Sequence, residues 1–428
     1  MNIIVVGAGI SGLYASFLLQ QSGHQVTVLE AATRSGGRIL SIHDRDGGRI
    51  ELGAELAYAP ESRYMQMLSH LGVGVRQQSG DSYFILDGEL HKRGLKQDNT
   101  LNHLLDTLDS IEETAPTSFN DISVKTFFQR LQFYPLYPRV IEAFCCEYGA
   151  SAAHLGIRQL AEEEGAWKGG DEEFFCDQPM IRIVEFLEQQ LLAPIQFSKQ
   201  VKHIEYESGV KIYTTEGECY DADIALISVG LGILKSDTLS FSPPLPQETR
   251  NAIACMGIQP GIKVILNFKH PWWPQHLLTI EGGTMCYEYL ASAYTRKPTL
   301  TAFIMDEQAR AVSHLTQEQL IECLLGELKN IGSPVSRPED LDSYCVKDWG
   351  RDPLHLGAYS YPAVGSSGAR TTLSKPVNKQ IYFIGEACNQ NGHAATIHGA
   401  METAEFAVNH INALNNNSST TRKDTLTV

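Results

Sequence analysis

The sequence predicts a two-domain α/β plus α+β protein in which a discontinuous, Rossmann-like nucleotide-binding domain is interleaved with a domain of mixed sheet and helices. A chain of 428 residues is long for one hydrophobic core, so two packed domains are expected. Residues 2–30 follow a strand, glycine turn, helix and strand pattern. An apolar strand at 380–384 and a helix at 400–414 close the chain after a long interruption. This late return indicates that the nucleotide-binding domain is discontinuous.

The domain boundaries follow from where strand-like and helical segments change character along the chain. We assign the nucleotide-binding domain to three segments, 1–75, 193–255 and 376–414. The substrate domain is then formed by residues 76–192 and 256–375. The last segment, 415–428, is rich in Asn, Ser and Thr and predicts a disordered tail.

Composition excludes several classes of function. A formal net charge of −16 disfavours nucleic acid, because phosphate binding needs a basic surface. We expect no membrane association, since the sequence has no apolar run long enough to cross a bilayer and no leader-like start. Nine scattered cysteines without a paired CxxC motif predict reduced thiols, no metal and a cytoplasmic location. The oligomeric state stays open.

The first glycine motif predicts a dinucleotide site. Gly7, Gly9 and Gly12 form GAGISG between a strand and a helix, with Ser11 inside the motif. Residues without a Cβ allow close approach of a pyrophosphate, and the helix N-terminus presents free N–H groups to it. Glu30 ends the second strand near the offset at which a carboxylate reaches ribose hydroxyls. A plain glycine turn followed by a solvated glutamate is the alternative.

A second glycine loop follows and distinguishes between dinucleotides. Glu30 is followed by Arg34, Gly36, Gly37 and Arg38 in the pattern ExxxRxGGR. The guanidinium of Arg38 can neutralise pyrophosphate or ribityl oxygens. Further contacts are expected from Gly53, Ala54 and Glu55 in the segment ELGAE. The combination is similar to the two-dinucleotide-binding signature of FAD proteins.

With these residues, the chain resembles the flavin amine oxidase family, which includes monoamine oxidases, polyamine oxidases, lysine-specific histone demethylases and L-amino-acid oxidases. The segment IGEACNQNGHAATIHGAMETAEFA is similar to the closing motif of that family. The resemblance implies non-covalent FAD, contacted near the C-terminus by Gly385, Glu386, Thr396 and Ile397. It also implies that Val201 contacts the adenine.

Lys263 is the strongest candidate for a catalytic residue. It lies in the strand-like run GIKVILNF, where a charged residue needs an explanation. Periodicity alone favours an edge-strand lysine that points to solvent. The resemblance implies the opposite, a lysine beside flavin N5 that holds a water and assists reoxidation by oxygen.

Two aromatic residues are implied to line the substrate face of the flavin. Trp349 and Tyr359 lie in DWGRDPLHLGAYSYPAVG, although core packing is the alternative for both. Monoamine oxidases attach flavin through a cysteine just before the wall tyrosine, whereas this chain has Ala358. The second wall position is Thr396, as in polyamine oxidases and the demethylases.

Two features bear on the substrate. The carboxylate-binding arginine of L-amino-acid oxidases has no counterpart near Leu56, although Arg63 stands several residues later. A set of acidic residues surrounds Trp167, and it is either a solvated loop or the rim of a cleft that attracts polyamine cations: Glu162, Glu163, Glu164, Asp171, Glu172 and Glu173.

The function implied by the resemblance is oxidation of a C–N bond in a primary or secondary amine, including polyamines. Hydride transfer to flavin N5 gives an imine, and O2 then reoxidises the flavin to yield H2O2. The partners are therefore a small amine and O2. Alternatives are an L-amino-acid oxidase, a desaturase or protoporphyrinogen-type oxidase, and a flavin-bearing interaction module without turnover.

Overall fold

The structure is a computed structural model. It describes residues 1–44, 46–95, 99–114, 121–170, 172–292, 295, 297–331 and 340–423, with the backbone alone described for 416–423. The predicted tail at 415–428 and Asp171 fall wholly or partly outside these residues.

The chain alternates between strands and helices throughout. The strands are β1 (Asn2–Val6), β2 (Gln25–Leu29), β3 (Ser41–His43), β4 (Arg49–Glu51), β5 (Val75–Gln77), β6 (Asp81–Leu86), β7 (Glu89–Lys92), β8 (Phe174–Cys176), β9 (Val201–Glu205), β10 (Val210–Thr214), β11 (Cys219–Ala222), β12 (Ile224–Ile227), β13 (Ser240–Ser242), β14 (Gly257–Ile258), β15 (Gly261–Phe268), β16 (Leu277–Glu281), β17 (Glu288–Ala291), β18 (Thr299–Met305), β19 (Leu341–Asp348), β20 (Ser360–Tyr361) and β21 (Ile381–Phe383). The helices are α1 (Ile10–Gln21), α2 (Arg63–His70), α3 (Asn99–Asp109), α4 (Ile111–Thr114), α5 (Val124–Arg130), α6 (Pro138–Glu147), α7 (Ile157–Ala166), α8 (Ile181–Gln189), α9 (Leu231–Leu234), α10 (Gln247–Cys255), α11 (Asp306–Val312), α12 (Gln317–Asn330), α13 (Ala369–Leu373) and α14 (Ile397–Lys423).

A four-stranded parallel sheet forms the nucleotide-binding part, in the order β2-β1-β12-β21. Its strands come from the N-terminus, the middle and the C-terminal region of the chain. Buried β-branched and aliphatic residues fill β1 and β12, as expected for a parallel sheet covered on both faces. The predicted discontinuous Rossmann-like architecture is confirmed.

A seven-stranded mixed sheet forms the second part, in the order β19-β15-β18-β17-β16-β6-β7. Strand β15 lies between β18 and β19, and every residue in it is buried. The segment GIKVILNF is therefore a central strand, and Lys263 is not on an edge of the sheet.

The apolar cores differ from the sequence-based boundaries at two helices. Ile183, Val184 and Leu187 of α8 are buried in the core of the parallel sheet, although residues 76–192 are assigned to the substrate domain. Ala369 and Leu373 of α13 likewise join the core beside β12, although residues 256–375 carry the same assignment. The last helix also continues to Lys423, past the predicted boundary at 414.

Candidate active site

The first glycine turn leaves room for an anion at the start of α1. Gly7 has a φ of +107°, and a Cβ at Gly12 would lie 2.1 Å from the carbonyl oxygen of Gly7. A Cβ at Gly9, the residue that precedes α1, would meet no atom within 4 Å. This open space faces the free amides of a twelve-residue helix, which suits a pyrophosphate.

Glu30 is held beside this turn. Its carboxylate accepts the N–H groups of Ala8 at 2.6 Å and Ala32 at 2.8 Å. Each carboxylate oxygen has a second acceptor position, so ribose hydroxyls can still donate to it. The backbone of Glu30 bonds to Gln196 and Lys199, which brings the segment leading to Val201 alongside. Val201 is buried against the same core as Leu29.

The second glycine loop packs directly on the first. Gly36 donates its N–H to Ala8 and pairs with Gly9, and a Cβ on Gly37 would lie 3.5 Å from the Cα of Gly9. Ala54 donates its N–H to the carbonyl oxygen of Arg38. The two loops thus form one cradle for a dinucleotide.

Glu386 ties the cradle to the segments around Tyr359 and Thr396. It pairs with Arg38 at 2.8 Å and accepts the backbone N–H of Ser360 and that of Ala395. Burial opposes ionisation of Glu386. Arg38, Arg370 and the Ser360 hydroxyl outweigh burial and hold the pKa of the carboxyl below its usual value. Glu386 therefore stays charged and fixes Arg38.

The remaining predicted cofactor residues adjoin this cradle from both ends of the chain. The Ser11 hydroxyl bonds that of Ser228 at 2.8 Å, and a Cβ on Gly385 would lie 3.6 Å from the Ser11 hydroxyl oxygen. Gly385 adopts a φ of +125°, which favours glycine. Ile397 begins α14 and packs against the core of the parallel sheet.

Lys263 reaches the same region from β15. Its Nζ pairs with Glu55 at 2.5 Å and donates to the carbonyl oxygen of Gly53 at 3.0 Å. Only 4% of Lys263 is exposed. The solvent-facing interpretation is therefore wrong, and the role beside the flavin stays a prediction.

Trp349 lies behind the Gly53 loop. It is 5% exposed, and its indole N–H donates to the carbonyl oxygen of Leu52 at 2.9 Å. A Cβ at Gly53 would lie 3.3 Å from its ring. These contacts hold the loop in place, and the predicted role in the substrate wall rests on the resemblance alone.

Tyr359 is half-buried beside the end of α6. Its hydroxyl donates to the carbonyl oxygen of Glu147 at 2.9 Å, and a Cβ on Gly149 would strike its ring at 2.7 Å. Burial, with the charges of Glu288, Glu147 and Glu386 nearby, raises the pKa of Tyr359. Tyr359 therefore stays a neutral donor between the cradle and a set of carboxylates.

Thr396 caps the start of α14. Its hydroxyl donates to the carbonyl oxygen of His393 at 2.8 Å and accepts the N–H of Gly399 at 2.9 Å. Glu386 bonds to the neighbours of Tyr359 and Thr396, so the structure brings the two predicted wall positions to one place.

Three carboxylates near Tyr359 were not predicted from the sequence: Glu147, Glu281 and Glu288. Glu147 ends α6 and is exposed, and the surrounding protein together with the charges of Glu288, Glu281 and Glu173 raises the pKa of its carboxyl. Glu281 and Glu288 are direct partners across β16 and β17. Burial raises the pKa of Glu288 to about 8, with further contributions from Glu281, Glu173 and Glu55.

The acidic residues around Trp167 separate in the structure. Glu163 pairs with Arg370, and Glu162 pairs with Arg158. Glu173 instead lies near the hydroxyl of Tyr58, and burial raises the pKa of its carboxyl. Among the described members of this set, only Glu173 belongs to the group near Tyr359, so neither the solvated loop nor the cleft rim describes all of them.

Other candidate features lie elsewhere. Arg63 is more than half exposed and pairs with Glu405 at 3.5 Å. Across the described residues, no cluster of three or more His, Cys, Asp or Glu side chains is arranged to hold a metal ion. No helix in the described part of the chain has the length and apolar character needed to cross a membrane.

Comparison with known proteins decides the family. Residues 10–412 match the family described as "Flavin containing amine oxidoreductase". The chain belongs to this family. Its cofactor is therefore FAD, which the cradle of the two glycine loops and Glu30 fits.

Individual relatives carry several names within the family. The chain is 30% identical to "Lysine-specific histone demethylase 1 homolog 2" of Oryza sativa subsp. japonica over 94% of this chain and 55% of that protein. It is 27% identical to "Polyamine oxidase 4" of the same organism over 93% and 86%. The chain thus spans about half the length of its demethylase-named relatives.

The fold is shared with solved structures of putrescine oxidase. The wild-type protein bound to putrescine aligns over 96% of this chain and 99% of that chain, with a TM-score of 0.81 and 19% identity. At this identity the likeness concerns the fold.

Replacing Glu30 tests the cradle. Glu30→Ala removes the acceptor of two backbone amides and of the ribose hydroxyls, so FAD affinity is expected to fall by about 1–3 kcal/mol. Titration of the apoprotein with FAD measures this, with the exposed Glu61→Ala as control. An unchanged dissociation constant for Glu30→Ala would mean that this carboxylate does not contact the cofactor.

The flavin is expected to leave the protein intact on acid denaturation. Ala358 offers no thiol, and the adjoining Cys146 is a buried thiol whose pKa is raised by burial, which suppresses the nucleophilic thiolate. The measurement is the yellow absorbance of the supernatant after precipitation. Colour that stays with the precipitate would contradict non-covalent binding.

Proposed function

We propose that this chain is an FAD-dependent oxidase of amines that carry a second positive charge, of which polyamines are the model class. The bond oxidised is the C–N bond of a primary or secondary amine, and O2 is the electron acceptor. The proposed location is the cytoplasm, which the nine cysteines without a disulfide support.

The observation that carries this proposal is the facing pair Glu281 and Glu288. Like charges directly opposite each other in a sheet destabilise it, and burial adds to that cost. Both carboxyls are enclosed, and burial raises the pKa of each. A cationic ligand that binds between or beside the two carboxylates would offset this cost.

Two further carboxylates, those of Glu147 and Glu173, lie toward Tyr359. Together with Glu281 and Glu288 they form what we call the acidic region. Burial raises the pKa of Glu147 well above its usual value, and Glu288, Glu281 and Glu173 contribute to the shift. Arg93 opposes the shift without cancelling it. A dication would supply the missing positive charge and restore the ionised form of these groups.

Aromatic side chains connect the acidic region with the cradle. The pKa of Tyr58 is raised by burial and then by Glu173, Tyr359, Glu147 and Glu288, which supports placing these five side chains in one neighbourhood. Aromatic faces can orient a neutral amine and stabilise nearby positive charge. We therefore assign the remote ammonium to the carboxylates and the reacting amine to the Tyr359 side.

When bound, FAD would accept the hydride removed from the carbon next to the nitrogen, and O2 is the final electron acceptor. The chain itself holds Arg38 through Glu386, fixes Tyr359 through Glu147 and places Lys263 at the Gly53 loop. These residues bind and orient the reactants. The polyamine oxidase and putrescine oxidase names among the relatives support this function.

The amino-acid alternative has less support because Arg63 pairs with Glu405. A methylated lysine side chain remains a competing substrate class, since the demethylase-named relative is also similar. We favour small polyamines because Glu281 is buried, Glu288 is half-buried, and burial raises the pKa of both carboxyls.

An aerobic product assay tests the function. Purified holoprotein is mixed with putrescine, a dimethyl-lysine peptide or an L-amino acid, and peroxide and aldehyde are measured together. Equal amounts of both from putrescine would support the proposal. Peroxide without aldehyde would indicate a different oxidase, and neither product from any amine would indicate a binding module.

The pH dependence of stability reports on the acidic region. Glu288 keeps its proton in the folded state up to a pH of about 8, whereas it ionises near pH 4.5 when unfolded. Its favourable contribution is thus complete below the unfolded pKa and is lost as the pH rises through about 8. Glu288→Gln is expected to raise the melting temperature by roughly 2–4 °C at pH 9 and not at pH 4. Equal melting curves for variant and parent at pH 9 would show that Glu288 is solvated.

A further inference from the structure

Glu55 and Lys263 form a closed ion pair at the cofactor loop. Their charged atoms lie 2.5 Å apart, and the two side chains are 3% and 5% exposed. Buried charges of this kind are stable only when both partners are present, because removing one leaves an unpaired charge away from water. The pair therefore acts as one neutral unit.

The carboxylate of Glu55 is itself fixed from the other side. Its second oxygen accepts the hydroxyl of Ser292 at 2.9 Å, and that hydroxyl bonds the Thr301 hydroxyl at 2.9 Å. Thr301 lies on β18, the neighbour of β15 in the central sheet. This chain of hydroxyl contacts sets the position of the carboxylate and, through it, that of the ammonium.

The pair lies between the cofactor cradle and the Tyr359 side of the site. Lys263 donates to Gly53, whose loop closes on Arg38 so tightly that a Cβ at Gly53 would lie 1.8 Å from the Arg38 carbonyl oxygen. The ammonium also lies 5.2 Å from the centre of the Phe303 ring, and Phe303 packs against the same buried cluster as Tyr359. A net charge on this pair would therefore act electrostatically on the FAD bound in the cradle.

We propose that Glu55 is a positioning residue that cancels the charge of Lys263 and so sets the reduction potential of the bound flavin. A flavin gains negative charge on reduction, and a nearby cation favours that gain. With Glu55 present, the unit contributes no net charge. The inference needs bound FAD but no amine, so it can fail or succeed independently of the proposed substrate.

The test is the two-electron midpoint potential of the holoprotein, measured anaerobically against a reference dye without any amine. Glu55→Gln keeps the shape and the Ser292 contact but leaves Lys263 positive, so the potential is expected to rise. Lys263→Met leaves Glu55 negative, so the potential is expected to fall. The double variant removes both charges and should return close to the parent value.

Each single shift is expected to change the ratio of reduced to oxidised flavin roughly tenfold at a fixed potential, about 30 mV for a two-electron couple. Glu218→Gln is the matched control, because it breaks an exposed lysine–glutamate pair with Lys199 far along the chain and should leave the potential unchanged. If Glu55→Gln does not retain flavin, the effect of Glu55 is measured in the Lys263→Met background instead. There, the midpoint potential of the double variant should be higher than that of Lys263→Met. An unchanged potential in Glu55→Gln, or a double variant that stays at the low potential of Lys263→Met, would overturn the proposal.

Discussion

Lys263→Met is expected to slow the reaction of the reduced holoprotein with oxygen by roughly 10²–10⁴-fold, the usual cost of losing a positioned catalytic group. The lysine is buried, and its ammonium is held by Gly53 and Glu55. The hydroxyls of Tyr359 and Thr396 are held elsewhere, by the carbonyl oxygens of Glu147 and His393. Flavin reduction by an amine should therefore change much less than reoxidation. Stopped-flow absorbance measures the two half-reactions separately, first without oxygen and then after mixing with oxygenated buffer.

The double variant Lys263→Met with Glu55→Gln serves as the control for an unpaired buried carboxylate. Glu55 loses its partner when Lys263 alone is replaced, and such a charge can disturb the loop. Both variants should show the same slow reoxidation if the ammonium itself is needed. Normal reoxidation in the double variant would mean that the single variant was slow because of the stranded charge.

Removing two carboxylates from the acidic region is expected to reduce kcat/KM for putrescine by roughly 10²–10³-fold, since a hydrogen bond to a charged group contributes about 1.5–3 kcal/mol. The variant is Glu147→Gln with Glu288→Gln, which keeps the shape of both side chains. Butylamine has the same carbon chain without the second ammonium. Its kcat/KM should stay within a few-fold of the parent value.

The matched control for this loss is Glu162→Gln. Glu162 belongs to the acidic stretch around Trp167, and it pairs with Arg158. Steady-state rates with putrescine should be unaffected by this change. An equal loss for putrescine and butylamine in the double variant would contradict the assigned role and indicate a disturbed fold.

The fold and the cofactor could be predicted from sequence because their signals are local. Gly7, Gly9 and Gly12 lie within six residues, and their backbone geometry depends on the missing Cβ atoms. The same holds for Gly36 and Gly37, which Arg38 follows directly. The discontinuous sheet was also predictable, because a strand and a helix alone at the end of the chain need a sheet against which to pack.

The acidic region and the Glu55–Lys263 pair could not be predicted in this way. Glu147, Glu281 and Glu288 come from three separate elements and Glu173 from the residues just before β8, and no short-range spacing relates all four. Glu281 and Glu288 come together only through the register of β16 and β17. Periodicity placed Lys263 on an edge because it reports one strand's own pattern and carries no information about which strands lie beside it.

The boundary of the substrate domain was misjudged at α8 for a related reason. Its apolar residues have helical spacing, which indicates a buried face but not the core that receives it.

The most direct test of the account is an anaerobic titration of the yellow holoprotein with putrescine and, in parallel, with butylamine, followed as loss of flavin absorbance. We expect putrescine to bleach the flavin completely at concentrations at least tenfold below those needed for butylamine. The reason is that only the diamine places an ammonium among Glu147, Glu281 and Glu288. Equal bleaching by both amines would contradict the assigned role of the carboxylates, and no bleaching by either would contradict amine oxidation by this chain.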